Sequence, residues 1–178
     1  KIYATPFTAA LVKEKFKEKK IDITNYLQIV QLNGKIKLGE FEIEFITLTH
    51  SILEPNGLSI KTPAGIILHT GDWKCDPNPL IGEKVDEKKL KEIGNKNVLA
   101  MICDSTNVFN EGRAGSESDV RKSMLDIISK QKKKIIVTTF ASNVARMETI
   151  FYCAKKTNRQ ISLVGRSMHR IYKAARQC

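Results

Sequence analysis

The stretch FEIEFITLTHSILEPNGLSIKTPAGIILHTGD, Phe41 to Asp72, decides how this chain is read. Phe41, Ile43 and Phe45 alternate with Glu42 and Glu44, which predicts a strand with one buried and one wet face, running to Thr49 and ending in His50-Ser51. Further strands are predicted at Gly57 to Thr62 and Ile66 to His69, the latter ending in Thr70-Gly71-Asp72. A histidine and a carboxylate therefore stand at two strand ends 22 residues apart, a spacing that an intervening hairpin can bring to one edge of a sheet. A strand end facing a loop can point an imidazole and a carboxylate at one cation while the sheet fixes their positions. Locally, His50 also reads as a hydrogen-bonded strand-end histidine and Asp72 as a turn residue or helix cap. Two ligands are in any case too few for a metal site.

Before this stretch, Ile2 to Ala4 predicts a short strand and Thr5-Pro6 a helix start, with Thr as N-cap and Pro at the first helical position. The helix extends to about Lys19 and carries Phe7, Ala10, Leu11 and Phe16 on one face. Leu27 to Leu32 and Ile36 to Leu38 read as strands around the turn Asn33-Gly34. After Asp72 comes a charged, proline-containing loop to Asn97, with a short helix near Asp86 to Ile93. An alternating series follows: strand Val98 to Cys103, helix Glu117 to Lys130, strand Ile135 to Thr139, helix Asn143 to Lys155, strand Ile161 to Val164, helix Ser167 to Arg176. Such alternation predicts parallel strands with covering helices. Asn110 to Gly115 separates the two kinds of sequence and marks a boundary, with one domain over 1–110 and another over 111–178.

With 42% hydrophobic and 28% charged residues in 178, the chain has the makings of a globular core and not of a disordered tail. Thirty Lys and Arg against nineteen Asp and Glu leave a net charge of +11, which favours polyanionic partners such as RNA. The lysine runs at 13–20 and 130–134 read as solvated helix faces or loops, because no aromatic stripe interleaves with them to stack bases. The four cysteines form no C-x-x-C pair, so neither a zinc ribbon nor a disulfide framework is indicated and a reducing cytoplasm fits. Cys103 and Cys153 are expected in the core. No run of ~18 apolar residues and no signal-peptide pattern occurs, so no membrane association is expected. The first residue is Lys and the last lies in an apparent helix, from which a piece of a longer polypeptide is expected.

Six ordered segments carry a resemblance: Tyr3-Ala4-Thr5-Pro6-Phe7-Thr8, Thr49-His50-Ser51-Ile52, His69-Thr70-Gly71-Asp72-Trp73-Lys74, Cys103-Asp104-Ser105-Thr106-Asn107, Thr139-Phe140-Ala141-Ser142-Asn143 and Gly165-Arg166-Ser167-Met168. In order and spacing the chain resembles the ribonuclease J family. The resemblance implies an α/β fold: part of a metallo-β-lactamase αββα domain followed by part of a β-CASP parallel α/β domain. It implies a cytoplasmic, metal-dependent ribonuclease with endonuclease and 5′-to-3′ exonuclease activity, acting on RNA as a homodimer or tetramer. It also implies two Zn²⁺ ions per complete site, with Mn²⁺ or Mg²⁺ as substitutes. By the same resemblance His50 is a metal ligand, Asp72 a metal-bridging catalytic carboxylate and Asp104 a catalytic acid near the metal centre. The chemistry is that of two cations activating water for in-line attack on a phosphodiester. Asp104 also reads as a cap for the turn that follows it. His69 and His169 read as structural residues, not ligands.

The sequence departs from the family in two respects. The ligand string His-x-His-x-Asp-His, which the family carries upstream, does not occur in these residues, nor do the later β-CASP histidine motifs. This chain alone is therefore expected to be inactive.

Three strand-to-helix junctions are candidate substrate-binding positions: Ser105 and Thr106; Ser142, Asn143 and Arg146; Arg166 and Ser167. In a parallel sheet such junctions share the carboxyl edge, where helix N-termini offer amides to phosphates. The plainer reading is that Ser142 and Ser167 cap helices. Two other functions stay open: a β-CASP or metallo-β-lactamase hydrolase acting on DNA or a small ester, and a metal-free α/β RNA-binding or assembly module.

Overall fold

The computed structural model describes every residue except Arg113, which lies in the expected boundary segment. The chain begins with β1 (Ile2–Ala4) and α1 (Pro6–Glu18), and β2 (Leu27–Ile29) returns to pair with β1 in parallel. Five strands follow as one sheet in the order β3 (Lys35–Leu38), β4 (Phe41–Thr47), β5 (Asn56–Thr62), β6 (Gly65–His69) and β7 (Val98–Ile102). Pairing is antiparallel from β3 to β6 and parallel between β6 and β7. Since β4 and β6 each run antiparallel to β5, the carboxyl ends of β4, β6 and β7 lie on the same edge. That edge carries His50, Asp72 and Asp104.

The expected alternation in β4 holds only in part. Phe41 is 47% exposed at the strand's start, whereas Phe45, Ile46 and Thr47 are all buried near its end, so both faces are covered there. One cover is α2 (Glu87–Gly94), whose Ile93 is buried. Its Lys89 reaches Glu44 at 2.6 Å. Glu44 is therefore not on a fully wet face. Burial pushes its carboxyl up, but the ion pairs with Lys89 and Lys35 outweigh this and hold it below the usual glutamate value.

The helices α3 (Glu117–Ser129), α4 (Val144–Lys156) and α5 (Arg166–Ala175) form where the hydrophobic spacing predicted them. The strands expected at 135–139 and 161–164 do not form. A parallel strand is stabilised only by a ladder with a neighbour distant in sequence, and here Ile136 and Val164 stay 88% and 85% exposed. Instead, the Arg159 side chain donates to the carbonyls of Lys133, at 2.9 Å, and Gln131. Cys103 also departs from expectation and is exposed, because β7 is the outer strand of the sheet; Cys153 is buried as expected.

A buried apolar cluster joins Phe7 and Ala10 of α1 to Val144 and Met147 of α4 and Ile171 and Ala174 of α5. This core crosses the boundary expected near residue 110. Two ion pairs seal the α1–α5 seam, Arg170 with Glu18 and Lys173 with Glu14. No helix among the described residues is long and apolar enough to cross a membrane.

Candidate functional site

Three strand ends meet at the site. After β4, buried Thr49 forms an antiparallel bridge with Lys74, whose amide donates to the Thr49 carbonyl at 2.8 Å. This bridge lays the His50 segment beside the one that begins at Asp72. After β6, Gly71 adopts φ +59°, a left-handed turn that glycine makes without strain, and directs the chain into Asp72-Trp73. The Gly71 amide donates to His69 Nδ1 at 3.0 Å. After β7, the Asp104 amide donates to the buried Thr70 hydroxyl at 3.1 Å, and the Trp73 indole donates to the Asp104 carbonyl at 3.4 Å. Short polar links of this kind pin the ends of parallel neighbours together.

These ends open onto a cleft of about 940 Å³ lined by His50, by the 73–78 loop through Trp73, Lys74 and Asn78, by Asp104 to Val108, and by Gly115, Ser116 and Asp119. Ser105 and Thr106 lie in its wall. His50 is half-buried and its Nδ1 lies 3.1 Å from the Ser51 hydroxyl. Asp104 accepts from the Thr106 amide at 3.0 Å, so it does cap its own turn. That amide and the Thr106 hydroxyl, with a further contribution from nearby His50, hold the Asp104 carboxyl below the usual aspartate value and keep it ionised. Asp72 is exposed beside the cleft and is not one of its lining residues.

The other candidate positions do not line this cleft. Asn143, not Ser142, caps α4, accepting from the Arg146 amide at 2.8 Å. The next two amides, of Val144 and Ala145, donate to the Ser51 carbonyl at 2.8 and 3.2 Å. They are consumed by the fold and cannot serve a phosphate at the same time. Arg146 is also engaged, 3.3 Å from Glu117 of α3. Gly165 stands at the N-cap of α5, so Ser167 is not a cap either. Arg166 acts on Glu18 at the carboxyl end of α1, whereas the amino end of that helix lies by Glu54. The strands that would align the three junctions do not form; the α4 junction lies at Ser51, next to His50, whereas Arg166 lies by Glu18.

Sequence reasoning missed Trp73, Lys74, Asp76 and Asn78. A signal existed for Asp76: Asp-Pro-Asn-Pro is a turn sequence in which an aspartate accepts from the amide two residues on, and the Asn78 amide does donate to Asp76 at 2.9 Å.

His50 and Asp72 are of the donor types that zinc takes. Among the described residues, however, no group of three or more His, Cys, Asp or Glu side chains gathers closely enough to hold a metal ion. The donor set brought together by this chain does not by itself fit the dinuclear centre.

Comparison with known proteins follows the same lines. The profile of the family described as "Ribonuclease J, beta-CASP domain" matches residues 132–178. Ribonuclease J of Sinorhizobium meliloti is 38% identical over 177 residues, which cover 98% of this chain and 31% of that protein. The chain is similar to ribonuclease J along nearly its whole length. Ribonuclease J of Helicobacter pylori strain J99 is 36% identical over 99% of the chain and 26% of its own length. That of Pyrococcus abyssi is 34% identical over 99% of the chain and 40% of its own length. The chain thus spans well under half of the length of these relatives. A crystal structure of a protein of unknown function from Enterococcus faecalis V583 matches with a TM-score of 0.63 at 16% identity, over 96% of this chain and 43% of that one, and shares the fold. The fold class is mixed α/β, with the β-CASP portion in the carboxyl-terminal part.

Proposed function

We propose that this chain is part of the catalytic core of a cytoplasmic, metal-dependent ribonuclease that hydrolyses RNA phosphodiesters as an endonuclease and 5′-to-3′ exonuclease. In this reading, residues 1–110 belong to a metallo-β-lactamase domain and 111–178 to a β-CASP domain. The observation that carries the reading is the common edge of β4, β6 and β7, with His50 and Asp104 lining one cleft and Asp72 beside it. The names of the relatives, all ribonuclease J, support RNA as the substrate.

Zn²⁺ is the proposed cofactor, with Mn²⁺ or Mg²⁺ as substitutes, and His50 and Asp72 contribute donors to a site that needs others beyond those gathered here. Asp104, held ionised, acts at the edge of that site. Ser105 and Thr106, which line the cleft, contact the RNA. The proposed working form is a homodimer or tetramer.

In the complete protein that contains this chain, His50→Ala and Asp72→Asn should each lower RNA hydrolysis by at least ~100-fold, and a chelator should do the same to the unaltered protein. Full activity of both variants would overturn the reading. A second reading, a metal-free RNA-binding module, draws on the incomplete donor set. It predicts RNA binding that survives chelation, with no hydrolysis of 5′-monophosphorylated RNA before or after. Cleavage of matched DNA in preference to RNA would point instead to a DNA-directed β-CASP hydrolase.

A further inference from the structure

Asp76 is buried to 5% exposure and takes no part in the chemistry proposed above. An ionised carboxylate removed from water needs donors to offset its desolvation, and those around Asp76 come from two separate parts of the chain. One oxygen accepts from the Asn78 amide at 2.9 Å, within the 73–78 wall of the cleft. The other accepts at 3.0 Å from the amide of Glu117, the first residue of α3, and so sits at the positive end of that helix. Ser116, the N-cap of α3, donates its hydroxyl to the Asn78 carbonyl at 3.0 Å. Lys74 Nζ lies 4.0 Å from the same carboxylate.

The Asp76 amide makes the next link. It donates to the Thr49 hydroxyl at 3.0 Å, and that hydroxyl donates in turn to the Lys74 carbonyl. Thr49 immediately precedes His50. On the other side of His50, the Ser51 carbonyl takes the first two amides of α4. The histidine is thus held between two clamps, and one of them leads through Thr49 to a carboxylate that reaches α3.

We propose that Asp76 is a positioning residue: its carboxylate clasps α3 to the 73–78 wall, and through the Thr49 hydroxyl this clasp fixes the strand end that carries His50. The proposal rests on the nuclease reading of His50. Asparagine at position 76 keeps the size of the side chain but places an NH₂ against an amide donor, so one half of the clasp opens. Misplacement of a catalytic group by ~1 Å can cost ~100-fold in rate.

The test uses the complete protein. Asp76→Asn should lower kcat for RNA by at least ~10-fold with KM changed by less than about twofold, because the clasp sets the reacting edge and not the overall hold on RNA. Hydrogen exchange should quicken in peptides covering 47–51, 73–78 and 116–118 and stay unchanged in α5. Thr49→Val should reproduce the loss of kcat and the faster exchange at 47–51 and 73–78, and Thr49→Ser, which retains the hydroxyl, should recover most of both. Wild-type kcat in Asp76→Asn beside an inactive His50→Ala would overturn the clasp and leave the nuclease reading standing; an active His50→Ala would overturn the reading itself. If Asp76→Asn does not fold, the Thr49 pair decides, and equal impairment by Val and Ser would sink the clasp.

Discussion

At the scale of single residues, the first helix shows how far a cap can be from the helix it serves. Thr5 occupies the N-cap position of α1, yet its hydroxyl donates to Thr8 and caps no amide. The open amide of Phe7 is taken by Glu54, 47 residues away, at 2.8 Å. A carboxylate at this end also meets the positive pole of the helix. Glu54→Ala should therefore destabilise the protein by about 1 kcal/mol, read as a lower midpoint in equilibrium denaturation, whereas Thr5→Ser should change it by less than about 0.5 kcal/mol. Equal effects of the two would show that the local cap matters after all. Thr5 as a helix start could be read from the sequence; Glu54 could not, since local spacing says nothing about a partner across a loop.

Between elements, the contact of α3 with α4 gives Arg146 a structural partner besides the RNA contact expected of it. Its guanidinium lies 3.3 Å from Glu117, and the pair is mostly buried at 28% and 13% side-chain exposure. Arg146→Ala should cost about 1–3 kcal/mol of stability and leave the salt dependence of RNA binding unchanged. A flattening of the slope by ~0.7 would instead make Arg146 a phosphate contact. The contact of α3 with the cleft wall predicts a pH effect. Burial pushes the Asp76 carboxyl up, but the Ser116 hydroxyl, the Glu117 and Asn78 amides and Lys74 together hold it below the ordinary aspartate value. Because the folded form binds its proton less readily than the unfolded chain, the stability from this clasp is complete above the unfolded value of ~4 and is lost as the pH falls through the lower folded value. Acid titration followed by hydrogen exchange at 116–118 should show opening in that range, and Asp76→Asn should remove this pH dependence. The helices themselves were legible in the sequence, since amphipathic spacing is a local property. Their polar seams were not.

Over the whole molecule, the distribution of apolar surface is uneven. The α1–α4–α5 cluster is well covered, while Leu99, Met101 and Ile102 on the outer strand β7 are 64%, 51% and 55% exposed. An edge strand with uncovered apolar side chains is a template for association. The 178-residue chain by itself should therefore sediment as a concentration-dependent mixture of species, and Leu99→Lys with Met101→Glu should shift it toward monomer. A single monomeric boundary for the unaltered chain at all concentrations would contradict this.

The sequence by itself determined the order of helices, the succession of strands β3 to β6 and the likeness to ribonuclease J, because each rests on local periodicity or on motifs read in line. It also singled out His50, Asp72 and Asp104 as residues at strand ends. Only the tertiary structure decided that the ends of β4, β6 and β7 share an edge and that α1 packs into one core with α4 and α5. It decided as well that the segments at 135–139 and 161–164 remain without a ladder. Those outcomes depend on pairing between residues far apart in the chain, where free energy comes from partners that no local pattern names. Asp76 belongs to the same group: a buried charge is tolerated only where distant amides converge on it, and that convergence exists only in the folded molecule.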